Sequence, residues 1–544
     1  MSKLTCCGSG GGGGITGSGA VNQVTVFNGL TTVVGYPNLT FDNVNNNFSI
    51  GSTNILVIGS TDNVVGGLTH NVAGQYNAVF GTNNTAVGMS YSILGGHDNN
   101  IQGGFHLVGG INNTNTNGGN NVIGGTSNTA VNTNNTTVFG YSNTVKFADG
   151  SIVNGSLNLV GTLAFHSGDG ATFGYHNLVG QTAHSDHNIV GGTGIVLNGL
   201  NNVVVGETIT VTGNDNAVFG DGHTITDLYS IVAGHNNTIT AGGGANALFG
   251  WTNVLPSGAG YNIVAGANHV ITGVCQFNAI FGATNTVTGV EYGFVAGRTN
   301  IVTELYGAVF GLDNVVGGAY NIVAGGNNHV NGLYNAIFGS NTLATSSKDY
   351  ILTNGNGNFI INEYNLVSGN TNTVSGKFGL ISGYDHTVAH DYALVSGRNA
   401  KTNFQGQFVQ TVNSGLDGDR QTSTFTLWKA TTDDTVTELM LDGASDPIVC
   451  ENGKVYFFKV HVVANEAGAA LNGAGYDLTF VFKRPTAATC SVNGLIKTVV
   501  YEDVGAWDVT VTADLTNGRP VIAVTGVALT NIKWMARVQM TETI

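Results

Sequence analysis

The chain has 544 residues, of which 42% are apolar, only 9% are charged and 83 are glycine. That balance suits a folded, backbone-dominated, tightly turning β structure, while five prolines and no Gly-X-Y period exclude collagen. A formal net charge of −15 without any run of Lys or Arg argues against nucleic acid or an anionic membrane as partner.

Residues 1–20 are Gly/Ser-rich and carry no pattern able to bury a core, so they read as a flexible arm and a candidate docking peptide. No span of 18 apolar residues exists, and neither a secretion signal nor a membrane-inserted segment is expected; synthesis in a cytosol follows. Cys6, Cys7, Cys275, Cys450 and Cys490 fit no metal or disulfide spacing and read as free thiols.

From residue 21 to 404 a phrase of the form aromatic-Asn-small-Val-Phe-Gly recurs, the mark of a solenoid. Its closing glycines read as Gly35, Gly51, Gly66, Gly81, Gly95, Gly109, Gly124 and Gly140, then as Gly220 to Gly339, with an irregular register between 146 and 206. From Gly220 to Gly339 the residue two before each glycine is aliphatic, as in Val218, Ile280 and Val309, and is expected to point into a narrow core. Side chains alternate along a strand, so the residues one and three before the glycine share the opposite face. That face alternates Ala/Phe coils with Ile/Ala coils, which levels the packed volume. Both faces of one strand are thus apolar, and a second copy of the chain is the economical cover. The expected oligomer interface includes Phe219, Phe249, Phe281, Phe310 and Phe338. It also includes an aromatic column five residues before the glycine, Tyr261, Tyr292, Tyr306, Tyr320 and Tyr334, for which stacking between coils and burial between subunits outweigh sugar binding. Roughly 25 coils at about 4.8 Å each make a roll on the order of 120 Å long.

Composition shifts at residue 405. Residues 405–544 hold about half of the charged residues and three of the four tryptophans. Strict alternation in Tyr456-Phe458-Val460-Val462, Tyr476-Leu478-Phe480-Phe482 and Ile532-Trp534-Ala536-Val538-Met540 predicts half-buried antiparallel strands, with turns at Asn472-Gly473 and Asn517-Gly518. The expected fold class is therefore all-β: a long parallel β-roll solenoid followed by an antiparallel β-sandwich or jelly-roll tip domain.

The phrases Asn77-Ala-Val-Phe-Gly81, Asn278-Ala-Ile-Phe-Gly282 and Asn335-Ala-Ile-Phe-Gly339, with second strands such as Asn285-Thr286-Val287, resemble the head repeats of trimeric autotransporter adhesins. The resemblance covers residues 21–403 and implies a left-handed parallel β-roll in a tight homotrimer. Similar rolls occur in phage fibres, and the absence of a heptad stalk and a terminal membrane barrel favours that side. Residues 431–443, 506–509 and 532–538 look like a domain recurring at the ends of phage structural proteins, which implies a tail or head fibre.

Catalytic and metal chemistry find little support in the sequence. His184-Ser-Asp-His187 has ligand-like spacing but no further ligands. His223, His269 and His386 fall where other coils carry Asn and read as substitutes for it, on the view that both tolerate a left-handed turn. No phosphate loop or triad order occurs, and neither enzyme activity nor a cofactor is expected. The expected function is a virion fibre held through its arm, with receptor loops for a host glycan or protein at Asp433, Asp434, Asn465, Glu466, Glu502 and Asp503. The alternatives are a cell-surface adhesin or extracellular filament, and a tailspike with glycan hydrolase activity.

Overall fold

The computed structural model describes residues 23–27, 33–42, 44–162, 167–240, 242–303, 306–344, 349–412, 418–468 and 471–543; the arm expected at residues 1–20 lies outside them. Every helix or strand among the described residues is a strand. The chain divides into two compact units, Met1–Asn262 and Ile263–Ile544.

The first unit is a parallel roll. Each coil contributes a strand of about five residues, such as Ala217–Asp221, and a shorter one, such as Thr224–Ile225. Coils stack in strict register, with Val218 opposite Val232 and Gly220 opposite Gly234. Most strands bury one aliphatic side chain, for example Val218 and Ile225, while Asn115 and Thr172 hold that place in Thr114–Gly119 and Ala171–Tyr175. The second unit begins with the same coil, where Ile280 pairs with Val295 and Val287 with Val302. The parallel β-solenoid comprises about 24 turns in all.

Asparagine closes the corners of this thin core. In the second unit Asn300, Asn314 and Asn328 are buried, and each Nδ2 donates to the carbonyl of a glycine in the next coil: Gly311 at 2.9 Å, Gly325 at 3.0 Å and Gly339 at 2.8 Å. Each Oδ1 in turn accepts the backbone N–H of the next corner residue, as from Asn314 and Asn328 at 3.1 Å. Buried backbone groups that neither sheet can pair are satisfied this way. The landmark glycine has no substitute: Gly311 sits at φ 117°, and a Cβ there would penetrate the carbonyl oxygen of Gly325.

Three details depart from the sequence reading. Parallel stacking starts later than residue 21, because Gln23–Phe27, Val33–Asp42 and Asn47–Ile50 pair antiparallel and the first parallel partner is Val64, opposite Phe48. In Gly-Gly coils the landmark is the second glycine: Gly67, Gly96, Gly110 and Gly125 pair along the column, while Gly66, Gly95, Gly109 and Gly124 take the Phe/Ala place. Between 146 and 206 the glycines Gly140, Gly155, Gly174, Gly192 and Gly206 still pair directly. The extra residues there are accommodated outside the sheets' pairing, in part by a small strand pair, Ala148–Asp149 with Ser167–Gly168.

At the end of the second unit, Leu394–Arg398 pairs parallel with Phe408–Val412, which then pairs antiparallel with Gln421–Thr431. An antiparallel sheet follows in the order Gln421–Thr431, Ile532–Thr543, Lys454–Glu466, Gly473–Thr486, Thr489–Glu502. A second antiparallel sheet, Thr437–Glu438, Arg519–Thr525 and Asp508–Asp514, packs on it. The shared core holds every residue of the three alternating runs read from the sequence, joined by Trp507, Val509 and Ile522. Trp534 lies edge-on to Trp507 at 5.8 Å and donates Nε1–H to Thr431 Oγ1 at 2.9 Å, so its one polar atom is satisfied.

Candidate functional site

The Phe/Ala positions of the roll point outward. Phe219, Phe249, Phe310 and Phe338 are between 37% and 42% exposed, and the Ile residues of the alternate coils, such as Ile231 and Ile322, are exposed beside them. Phe281 is half-buried against Phe294, centroids 5.6 Å apart, and Phe294 packs on Phe310 at 5.2 Å. Each unit therefore presents a contiguous apolar face that no described residue covers. Soluble monomers rarely expose such patches beyond roughly a few hundred Å².

The aromatic column stacks within the chain. In the second unit Phe277, Tyr292, Tyr306, Tyr320, Tyr334, Tyr350, Tyr364, Phe378 and Tyr392 form one file of rings with centroids 4.8–5.2 Å apart and planes within 9°. Tyr261, in the first unit, holds the equivalent place. These residues take the left-handed conformation, with φ of 54° to 61° in the second unit, where a bulky side chain costs about 1–2 kcal/mol. Stacking returns about 0.5–1.5 kcal/mol per pair. Tyr91, Phe105 and Tyr350 belong to such files as well. Tyr91 and Phe105 stand five residues before Gly96 and Gly110, the second glycines of their coils, so counting back from Gly95 or Gly109 misses them.

The buried histidines stand in for corner asparagines. His223 Nδ1 accepts the N–H of Asn237 at 3.1 Å, and its Nε2 bonds the Phe219 carbonyl at 3.0 Å, so the ring supplies the two groups an amide would. The left-handed residue is the one before the corner, Gly222 here and Asn268 or Asp385 elsewhere, so backbone tolerance is not the reason for histidine. Desolvation holds the pKa of His106, His223 and His269 below the ordinary 6.5. Among the described residues no group of three or more His, Cys, Asp or Glu is placed to hold a metal. Cys275, Cys450 and Cys490 are thiols outside any disulfide among the described residues, and burial pushes the Cys450 thiol well up.

The six residues expected in receptor loops collect at one edge of the larger sandwich sheet. Thr431, Ile532 and Glu466 are register neighbours there, and Asn465 and Ala474 lead on to Gly473 and Glu502. Asp433 and Asp434 follow Thr431 and are exposed. Asn465, Glu466 and Glu502 are the last residues of strands rather than loop residues, because pairing runs to the ends of both hairpins. Asp503 accepts the Gly473 N–H at 2.8 Å, Asn472 bonds Glu466 at 2.6 Å, and Tyr476 donates its hydroxyl to Glu502 at 2.8 Å.

Sequence reasoning passed over the outward face of that sheet. Trp428, Met535 and Val463 form one cross-strand row, each about half exposed, and a cavity of about 380 Å³ is lined by Thr426, Trp428, Ala430, Lys533 and Met535. The residues between the core positions are mostly polar, as Lys533, Arg537 and Gln539 are, and the only sequence signal was a large apolar residue among them in each strand, Trp428, Met535 or Val463.

Residues 240–339 match the sequence family described as grass antifreeze beta roll, so that stretch of the roll is similar to it. No curated protein matches the chain.

Proposed function

We propose that this chain is a non-enzymatic structural fibre whose copies pack as a homotrimer along the outward Phe/Ala face of the roll, with the C-terminal sandwich making contact with a host-surface glycan or protein. On this reading the fibre belongs to a virion, as a phage tail or head fibre. The observation that carries it is the uncovered apolar face, repeated coil after coil, whose exposure in water a free chain could not sustain. A triple copy of the sandwich would turn modest contacts into firm attachment through effective concentration. Antibody to residues 405–544 should decorate thin projections on purified particles and block their adsorption to host cells. Unlabelled particles, or adsorption unaffected by saturating antibody, would refute the assignment.

The match at residues 240–339 favours a second reading, in which a regular outer face of the roll binds ice, as the matched family's description suggests. Of the two outward columns of the short strands in that stretch, one, Val270, Thr286, Ile301, Val315 and His329, repeats no single residue, and the other carries Thr272 and Thr288 but turns to Gly317 and Asn331. That irregularity ranks the reading second. Thermal hysteresis of the purified chain at millimolar concentration decides it.

A further inference from the structure

The outward side of the larger sandwich sheet is the direct continuation of the roll's uncovered face. Register partners carry one column across it: Leu394, Phe408, Thr424, Gln539, Lys459, Thr479. Phe457, half exposed, lies next to that column on one side; on the other comes the polar row Thr426-Arg537-His461-Asp477, and beyond it the apolar row Trp428-Met535-Val463.

Charge sets this face apart from the rest of an acidic chain, which has 17 basic against 32 acidic residues. Lys459, Lys483, Lys533 and Arg537 all point outward from it. None of them is in an ion pair among the described residues, whereas Lys377, Lys401, Lys454, Lys497 and Arg519 each have a carboxylate partner. The acid on the same face, Asp477, is engaged by His461 at 2.5 Å. The acids of the sheet's edge, Asp433, Asp434, Glu466, Glu502 and Asp503, are likewise in no ion pair among the described residues. Lys533 adjoins that edge in register, opposite Ala430 and Asn465, yet among the described residues no cation of the face reaches ion-pair distance of an edge acid, so face and edge carry opposite, unmatched charge.

We propose that the outward face of the larger sandwich sheet docks the acidic edge of a second copy of this chain, Trp428, Met535 and Val463 forming the apolar centre and Lys533 and Arg537 pairing with Asp433 and Asp434. The contact joins two different surfaces, so it is heterologous and closes into a ring when repeated by rotation. Electrostatic complementarity of this kind fixes the rotational register of the copies. The inference rests on the trimeric reading of the roll and adds which surfaces meet at its C-terminal end.

Zero-length carbodiimide cross-linking of the full chain, assembled from a mixture of unlabelled and ¹⁵N-labelled copies, tests it. Mixed-isotope links from Lys533 or Lys459 to Asp433, Asp434 or Glu466 are expected. The exposed double change Lys533→Glu with Arg537→Glu should remove these links and lower the thermal midpoint of the assembly. Adding Asp433→Lys and Asp434→Lys should restore the midpoint. A trimeric wild type without mixed-isotope links, and with a midpoint unmoved by the double change, overturns the proposal and leaves the trimeric roll standing. A monomeric wild type overturns both. Retention on a heparin column that the double change abolishes, in a trimer otherwise unaltered, assigns the face to an anionic glycan and likewise overturns it.

Discussion

In the roll most strands bury a single aliphatic side chain, as Val309 or Val316 does, whereas one strand of the sandwich buries Ile532, Trp534, Ala536, Val538 and Met540 together. The roll compensates with backbone: every coil bonds the next at short sequence separation, and its corners are closed by asparagine amides. The sandwich joins strands as distant in sequence as Gln421–Thr431 and Ile532–Thr543, and aromatic rings fill the space between its sheets. Position-specific backbone geometry therefore holds the first region, and side-chain volume the second. Substitutions should separate the two accordingly.

The largest effect is expected at a landmark glycine. Gly325 has φ 130°, and an added Cβ would penetrate the Gly339 carbonyl, so Gly325→Ala should cost about 4 kcal/mol or more and unfold its coils. In the sandwich Gly494 has φ 62° with open space around it, and Gly494→Ala should cost about 1–2 kcal/mol. Urea unfolding of the two variants measures the ratio. Side-chain truncation should run the other way: Phe458→Ala, at the centre of the sandwich core, about 3–5 kcal/mol, against about 1 kcal/mol for Ile280→Val in the roll.

Corner variants fall between these. Asn314→Ala leaves the Gly325 carbonyl and the Asn328 N–H without their partner and should cost about 2 kcal/mol. Asn314→His should cost less, because His223 already fills such a corner with both ring nitrogens engaged. Native-state hydrogen exchange at Asn328 reports the difference.

Smaller still, and opposite in sign, are the responses to pH. His106, His223 and His269 are neutral in both states above about pH 6.5. Below it the unfolded chain protonates first, so the roll loses stability as pH falls from 6.5 toward the depressed folded values. In the sandwich, burial pushes Glu542 up from 4.5 to about 7 although Lys454 stands 3.5 Å away. Between pH 4.5 and about 7 the folded state keeps a proton that the unfolded chain has released, so this contribution falls as pH rises. Protection factors, exchange rates divided into their intrinsic values at each pH, should move in opposite directions in the two regions between pH 5 and pH 7.5, and Glu542→Gln should flatten the sandwich's response.

The sequence made the roll legible because its constraints are local. A glycine with a forbidden φ, an aliphatic residue two before it and a corner asparagine recur at nearly fixed intervals, and each coil restates them. The single-residue slip at Gly66, Gly95, Gly109 and Gly124 arose where two glycines adjoin, since either satisfies the pattern and only pairing with Gly81 or Gly140 decides. Strand faces in the sandwich were equally readable from alternation. The order of its strands was not, and so the gathering of Asp433, Glu466 and Asp503 at one edge was hidden: it depends on pairings across a hundred residues. The outward row Trp428-Met535-Val463 was hidden for the same reason, because its members come from three strands.

The central claim is that the outward Phe/Ala face is covered by other copies of the chain. Native mass spectrometry of the full chain, beside Phe310→Asp, tests it directly. The account predicts three copies for the wild type and dissociation for the variant, whose carboxylate would sit in an apolar contact. A wild type that flies as a monomer from native buffer would contradict it.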